Sequence, residues 1–224
     1  MKMFYDVDIV NLSDEELMDR QRVAILCEYD RYLRDYNRAK EPDLWFDDGT
    51  CFTTWFKGPV HDFFHASFRP GGTDYNSYED TMRRGGHRVN NTVVWLRGNR
   101  AIAEVMCTLT IRSKIHGEWF DGAVCGKMHY RAEKRDGKWG LVYFEGIYEN
   151  DRLDPVFHDC QVKVPREELM KFRNNNFYQA WRQQLDQGKV LNAQEWAGPD
   201  KPETLQRLYE ESSRWFYDNG GKEG

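Results

Sequence analysis

Apolar and polar positions first fall into a regular pattern between residues 13 and 37, and the spacing is helical. Ser13 followed by Glu16 is a capping box. Leu17, Ala24, Leu26 and Leu33 supply apolar positions, while Tyr29, Tyr32 and Tyr36 fall at i, i+3 and i+7 and share one face. The pattern predicts a first helix over 13–37, which Pro42 prevents from continuing. Cys51 to Lys57, rich in Thr, Phe and Trp, reads as a strand. Gly58-Pro59 and Pro70-Gly71-Gly72 mark a loop region over 58–75, with a helical turn inside Val60 to Phe68. Asn76 to Arg84 reads as a short helix ended by Gly85-Gly86.

The middle of the chain is β. His87 to Leu96 and Ala101 to Ser113 flank Gly98-Asn99, and Gly122 to Lys134 and Lys138 to Glu149 flank Asp136-Gly137. Both dipeptides suit tight hairpin turns, with 114–121 joining the hairpins. Past Asp154-Pro155 the β signal fades. Pro165 to Arg173, Phe177 to Gln187 and Pro202 to Asn219 read as helices, with Gly188 to Asp200 as a connecting loop. The expected fold class is α+β: a curved antiparallel sheet forming a pocket, lined by helices, over 1–155. A helical extension over 156–224 belongs to the same structural unit.

Composition narrows the function classes. The 224 residues are 40% hydrophobic, enough for one sizeable core, and 15% aromatic with 8 Trp and 12 Tyr, which suits a pocket for flat, apolar ligands. The net charge of −5 and the lack of a basic-aromatic stripe argue against nucleic acid as a partner. No apolar run approaches a membrane span. Met1 to Val10 carries Asp6 and Asp8 and no apolar signal core, so a cytoplasmic protein is expected. Cys27, Cys51, Cys107, Cys125 and Cys160 form no CxxC pair and read as reduced thiols. His61 and His65 lie at i, i+4 without a HExxH frame, and no metal is expected. No nucleotide or cofactor motif is present, so no cofactor is expected.

Side-chain alternation outward from Gly98-Asn99 gives two faces. Trp95, Val93, Asn91, Val89 and His87 stand opposite Ile102, Glu104, Met106, Thr108 and Thr110, and Arg112 joins that face. The other face, with Val94, Leu96, Ala101, Ala103, Val105 and Cys107, is small and apolar. The mixed face is the expected pocket wall; a one-residue slip in register would exchange the two. Around Asp136-Gly137 the same rule groups Trp139, Leu141, Tyr143, Glu145 and Ile147 with Tyr130 and Met128. Glu145 among apolar neighbours is expected to have a raised pKa.

The order of elements resembles the SnoaL-like branch of the nuclear transport factor 2-like superfamily, which includes polyketide cyclases, scytalone dehydratase and the small subunits of ring-hydroxylating dioxygenases. The resemblance rests on Tyr32-Leu33-Arg34-Asp35-Tyr36 followed by Leu44-Trp45-Phe46-Asp47-Asp48, on the strand opened by His87, and on Asp136-Gly137-Lys138-Trp139, and covers roughly 13–150. It implies a cone-shaped fold and an acid–base site in which His87 shuttles a proton and Asp35 orients it or acts as base; structural roles are the alternatives for both. Tyr32 could polarise a substrate carbonyl, or belong to a core stripe. Arg112 could bind a carboxylate or enolate. Asn91, Trp95, Met106, Thr108, Tyr143, Glu145, His116 and Asp121 are candidate substrate-binding residues; for His116 and Asp121 the alternative is a plain loop role. The pattern departs from scytalone dehydratase: its second histidine falls near Arg112 or Ser113, and its Ser-x-Asn becomes Cys125-Gly126-Lys127. The expected activity is a lyase or isomerase acting on a small, flat hydroxy or keto compound. A non-catalytic ligand binder or structural subunit of an oxygenase-type complex is the alternative. The resemblance also implies a homodimer or homotrimer, with the C-terminal extension as a lid or dimer arm.

Overall fold

The computed structural model describes residues 1–67, 84–172, 176–188 and 194–218. The capping box forms: Ser13 Oγ accepts from the Glu16 N–H at 3.3 Å, and Glu16 Oε2 accepts from the Ser13 N–H at 2.8 Å. It starts helix α1 (Asp14–Tyr36), whose first turn carries three acids that suit the positive end of the helix dipole. The buried stripe of α1 begins at Asp19, is apolar at Val23 and Cys27 and turns charged again at Asp30, Arg31 and Arg34. Tyr29, Tyr32 and Tyr36 point the other way, into solvent, so they are not core.

A 3-10 turn over Arg38–Leu44 leads into β1 (Trp45–Phe52), then β2 (Lys57–Pro59) and helix α2 (Val60–Ser67). The single strand expected at 51–57 is thus split. Thr53 Oγ1 accepts from the N–H groups of Trp55 and Phe56 and turns the chain between the two strands. The helix expected at 76–84 lies outside the described residues, apart from Arg84, which already belongs to a strand.

Four long strands follow: β3 (Arg84–Arg97), β4 (Arg100–Ile115), β5 (Glu118–Arg135) and β6 (Lys138–Pro155). The sheet order is β2-β1-β6-β5-β4-β3. The expected meander is present, with one correction: β1 runs parallel to β6. Asp136 and Gly137 both take left-handed backbone, at φ 49° and 77°, as the predicted turn requires. A third turn of the same size, His116-Gly117, replaces the longer link expected over 114–121.

The register holds near Gly98-Asn99, where Trp95 pairs with Ile102 and Val93 with Glu104, and then slips. Asn90 and Asn91 together oppose Met106, a bulge that leaves Val89 opposite Cys107 and His87 opposite Leu109. Beyond it every β3 side chain changes face. A second bulge at Val142 separates Trp139 and Leu141, which face inward with Tyr130 and Met128, from Tyr143, Glu145 and Ile147, which face outward. A third at Glu149 is cramped, and a Cβ at Gly126 would drive into the Ile147 carbonyl.

α1 covers the inner face, where Val23 and Cys27 pack on Val94, Ala103, Val105, Tyr130 and Leu141. The C-terminal extension comprises α3 (Arg166–Leu169), α4 (Phe177–Gln187) and α5 (Pro202–Tyr217). Leu169 of α3 and Trp181 of α4 pack on Ile115, Phe120 and Leu153, at the far end of the inner face, and α5 covers the outer face. Phe216 and Phe4 pack on Ile102 and Trp95, and Leu208 packs on Ile147. Arg100 of β4 donates to the carbonyls of Trp215 and Asp218, closing the C-terminal end of α5. The part of the mixed face around Trp95, Ile102 and Glu104, expected to line a pocket, is therefore the floor under α5.

Candidate functional site

The bulge at Asn90–Asn91 brings His87 to the inner face, where the last turn of α1 delivers Asp35. One carboxylate holds the histidine twice: Oδ2 accepts from the His87 backbone N–H at 2.6 Å and Oδ1 pairs with Nδ1 at 2.9 Å. Both side chains are nearly buried, at 11% and 8% exposure. Burial pushes the His87 pKa below the ordinary imidazole value; Asp35 opposes this, and the nearby Arg31 and Arg34 guanidiniums reinforce it. Burial alone would raise Asp35, but the hydrogen bonds from His87 outweigh it and hold the carboxyl low. The pair near neutral pH is thus a neutral imidazole against a carboxylate. With Nδ1–H given to Asp35, Nε2 carries the lone pair, and no hydrogen bond among the described residues engages it.

Beside the pair lies a buried charge cluster that sequence reasoning missed. Asp30 accepts from Arg31 Nε at 3.1 Å, Trp45 Nε1 at 2.8 Å and Tyr130 Oη at 2.9 Å. Arg34 Nη1 donates to Glu41 Oε2 at 3.0 Å. Arg31 and Arg34 lie over the rings of Phe144 and Phe63, at 4.6 and 3.8 Å. Burial, with Asp30 nearby, lifts Glu41 to about 7. A usable signal for the arginines was present: charges at 30, 31 and 34 continue the helical stripe of Val23 and Cys27. Nothing local marks Glu41.

The other candidates lie elsewhere. Tyr32 is exposed on the outside of α1, away from His87. Arg112 shares the face of Thr108 and Met106, opposite to His87, and is held by Asp121 of the neighbouring strand through two hydrogen bonds of 2.6 Å. Asn91 is exposed within the bulge. Trp95 packs edge-on against Phe4, at 5.0 Å. Thr108 contacts Cys125, and Met106 pairs with Lys127. His116 sits in the β4–β5 turn, 6.4 Å from the Trp181 ring.

Tyr143 and Glu145 face outward. Glu145 is buried, bonded to Tyr143 Oη and Arg207, and burial raises its pKa as expected. Tyr143 borders a cleft of about 540 Å³ shared with Arg207, Thr204 and Thr50, separate from His87. His61 and His65 are exposed with their Nε2 atoms 3.2 Å apart. Among the described residues no group of three or more His, Cys, Asp or Glu is placed to hold a metal, and no helix is long and apolar enough to cross a membrane. Cys51 and Cys107 are buried, which pushes their thiols up to about 12 and 11.

No family model matches the chain, and no curated protein matches it. Solved structures do. One is described as a putative scytalone dehydratase from Novosphingobium aromaticivorans (TM-score 0.49, 15% identity, 68% of this chain and 95% of that one). An ntf2-like protein with a cystatin-like fold from the same organism is similar with TM-score 0.43 and 16% identity, over 62% of this chain and 88% of that one. A hexachlorocyclohexane dehydrochlorinase (LinA) type 2 is similar with TM-score 0.43 and 19% identity, over 69% and 99%. At this level of likeness nothing about this chain's chemistry follows. The α+β architecture stands on its own elements: one long helix, short helices and a curved, unclosed six-stranded sheet.

Proposed function

We propose that the chain is a cofactor-independent lyase or isomerase that removes a proton next to a carbonyl or leaving group of a small, flat, largely apolar hydroxy or keto compound. The observation that carries this reading is the double hold of Asp35 on His87. It fixes the ring, assigns the proton to Nδ1 and directs the basic Nε2 away from the carboxylate. Nε2 takes the substrate proton, the imidazolium is stabilised by Asp35, and the same proton returns to the leaving group or to another carbon. The Arg31 and Arg34 charges favour the anion formed on the way. General acid–base assistance of this kind contributes about 10²–10⁴-fold in rate.

The non-catalytic reading also has an observation in its favour. Among the described residues the inner face is occupied by Tyr130, Phe144, Trp45 and the arginine cluster, as in a cone filled by its own side chains. One experiment separates the two. A panel of hydroxylated and keto aromatic and alicyclic compounds is incubated in D2O and read by NMR for proton exchange next to the carbonyl and for elimination. The enzyme reading expects at least one compound to turn over, with the rate lost in His87→Ala. If no compound reacts faster than with His87→Ala, the enzyme reading fails.

A further inference from the structure

The tyrosine stripe of α1 is left unused by the site, and it extends further than three residues. Met18, Arg22, Ile25, Tyr29, Tyr32 and Tyr36 recur at alternating steps of four and three, the spacing of a helix-pairing seam. All face solvent: Met18, Ile25, Tyr29, Tyr32 and Tyr36 are 55%, 54%, 47%, 56% and 64% exposed, and the Arg22 side chain 57%. The rings already form a ladder, with Tyr29–Tyr32 stacked at 6.0 Å and Tyr32–Tyr36 at 5.0 Å. At half exposure such side chains offer roughly 500 Å² of continuous, mostly apolar surface, in the upper part of the range of the largest patch on a typical monomer, which is often an interaction site.

We infer that this seam pairs α1 with α1 of a second copy of the chain, antiparallel, about a two-fold axis between Ile25 and Tyr29. In that register Ile25 packs on Tyr29 of the other copy, Met18 on Tyr36, and the Arg22 guanidinium on the Tyr32 ring, a cation–π contact. The ends agree in charge. The acidic first turn, Asp14, Glu15 and Glu16, meets the basic segment after the other helix, Arg38 and Lys40. A parallel pair would set Arg22 against Arg22 and acid against acid. Existing contacts are compatible with the seam: within it Arg22 donates through Nη1 to Asp19 of its own helix, while beside it or at its ends Thr92 donates to Glu28, Arg38 donates to the Arg34 carbonyl and Lys40 pairs with Asp43. About 1,000 Å² in total lies at the low end for specific interfaces, so the dimer is a micromolar one rather than obligate.

The test is light scattering behind size exclusion on the whole chain, over a range of concentrations. Wild type is expected to pass from monomer to dimer. Ile25→Glu raises the dissociation constant at least tenfold, with the far-UV spectrum and melting temperature unchanged because the position is exposed. Asp14→Lys weakens the dimer, and Lys40→Glu added to it restores affinity, since the two positions face each other only in the antiparallel register. A wild-type chain that stays monomeric up to several hundred micromolar overturns the inference. So does a dimer that Ile25→Glu leaves intact, or one that the double variant weakens further.

Discussion

The sheet carries a histidine–carboxylate pair on each face, and the two differ in what surrounds the second ring nitrogen. On the inner face Asp35 occupies Nδ1 of His87, and no described residue bonds Nε2. On the outer face Glu104 Oε1 stands 3.3 Å from Nδ1 of His129, and Ser212 Oγ of α5 stands 2.8 Å from Nε2. Lys127 bonds the other oxygen of Glu104 at 2.8 Å and Tyr209 at 2.7 Å. His129 and Ser212 are fully buried, under the rings of Phe4 and Tyr209. A serine, a histidine and a carboxylate in line suggest a nucleophile, but no substrate reaches these. The difference teaches that a histidine–carboxylate contact is not by itself a site. The outer pair ties α5 to the sheet, while the inner pair leaves one ring nitrogen without a hydrogen bond among the described residues.

The sharpest way to break this comparison is Glu104→Ala. It leaves His129 and Lys127 facing a cavity without their carboxylate, and removal of one partner from a buried charge pair costs about 3–5 kcal/mol. Chemical denaturation should show a loss of that size, and a loss under 1 kcal/mol would mean that the outer pair does not hold α5. The next effect is a pH dependence. Burial lowers the pKa of His129 below the ordinary value, so beneath about pH 6.5 the unfolded chain takes up a proton that the folded chain refuses. Stability therefore falls with falling pH, by up to about 1.4 kcal/mol per pH unit for one group. His87 acts with the same sign. Glu41, raised to about 7, acts with the opposite one: its contribution is present below its ordinary value of 4.5 and is lost as pH rises toward 7. Comparing wild type with His129→Gln, which preserves hydrogen bonding to Glu104 and Ser212, isolates His129. Their stability difference should shift between pH 7 and 5, and a flat difference contradicts the assignment. The smallest effect is that of Arg112→Ala. Its pair with Asp121 is partly exposed, at 33% and 49%, and a pair of that kind is worth about 0–1 kcal/mol. The same variant should leave the proton-exchange activity unchanged, since Arg112 stands on the face opposite to His87.

What the sequence revealed and what it hid follow from how local each cause is. The Ser13 cap, the Gly98-Asn99 and Asp136-Gly137 turns and the start of α5 at Pro202 depend on a few neighbouring residues, and the structure has them within a residue or two. The faces depended on unbroken alternation over ten residues, and bulges at 90–91 and 142 broke it. No residue type announces a bulge as Gly announces a turn. The charged stripe of α1 is legible at 30, 31 and 34, but the tyrosines at 29, 32 and 36 give the opposite side of the helix the stronger apolar signal. The burial of the outer face under α5 rests on contacts between residues a hundred positions apart, such as Arg100 with Trp215, which no local pattern encodes.

The bulge at Asn90–Asn91 also bears on how such a site is inherited. His87 reaches Asp35 because of how many residues lie between it and the Gly98-Asn99 turn, not because of what those residues are. A descendant that loses one of the two asparagines keeps every side chain of the pair and turns the histidine toward the other side of the sheet. In this architecture length at one exposed position decides the placement of the histidine as much as its identity does. Two related chains with matching motifs can then differ in chemistry through a single deletion.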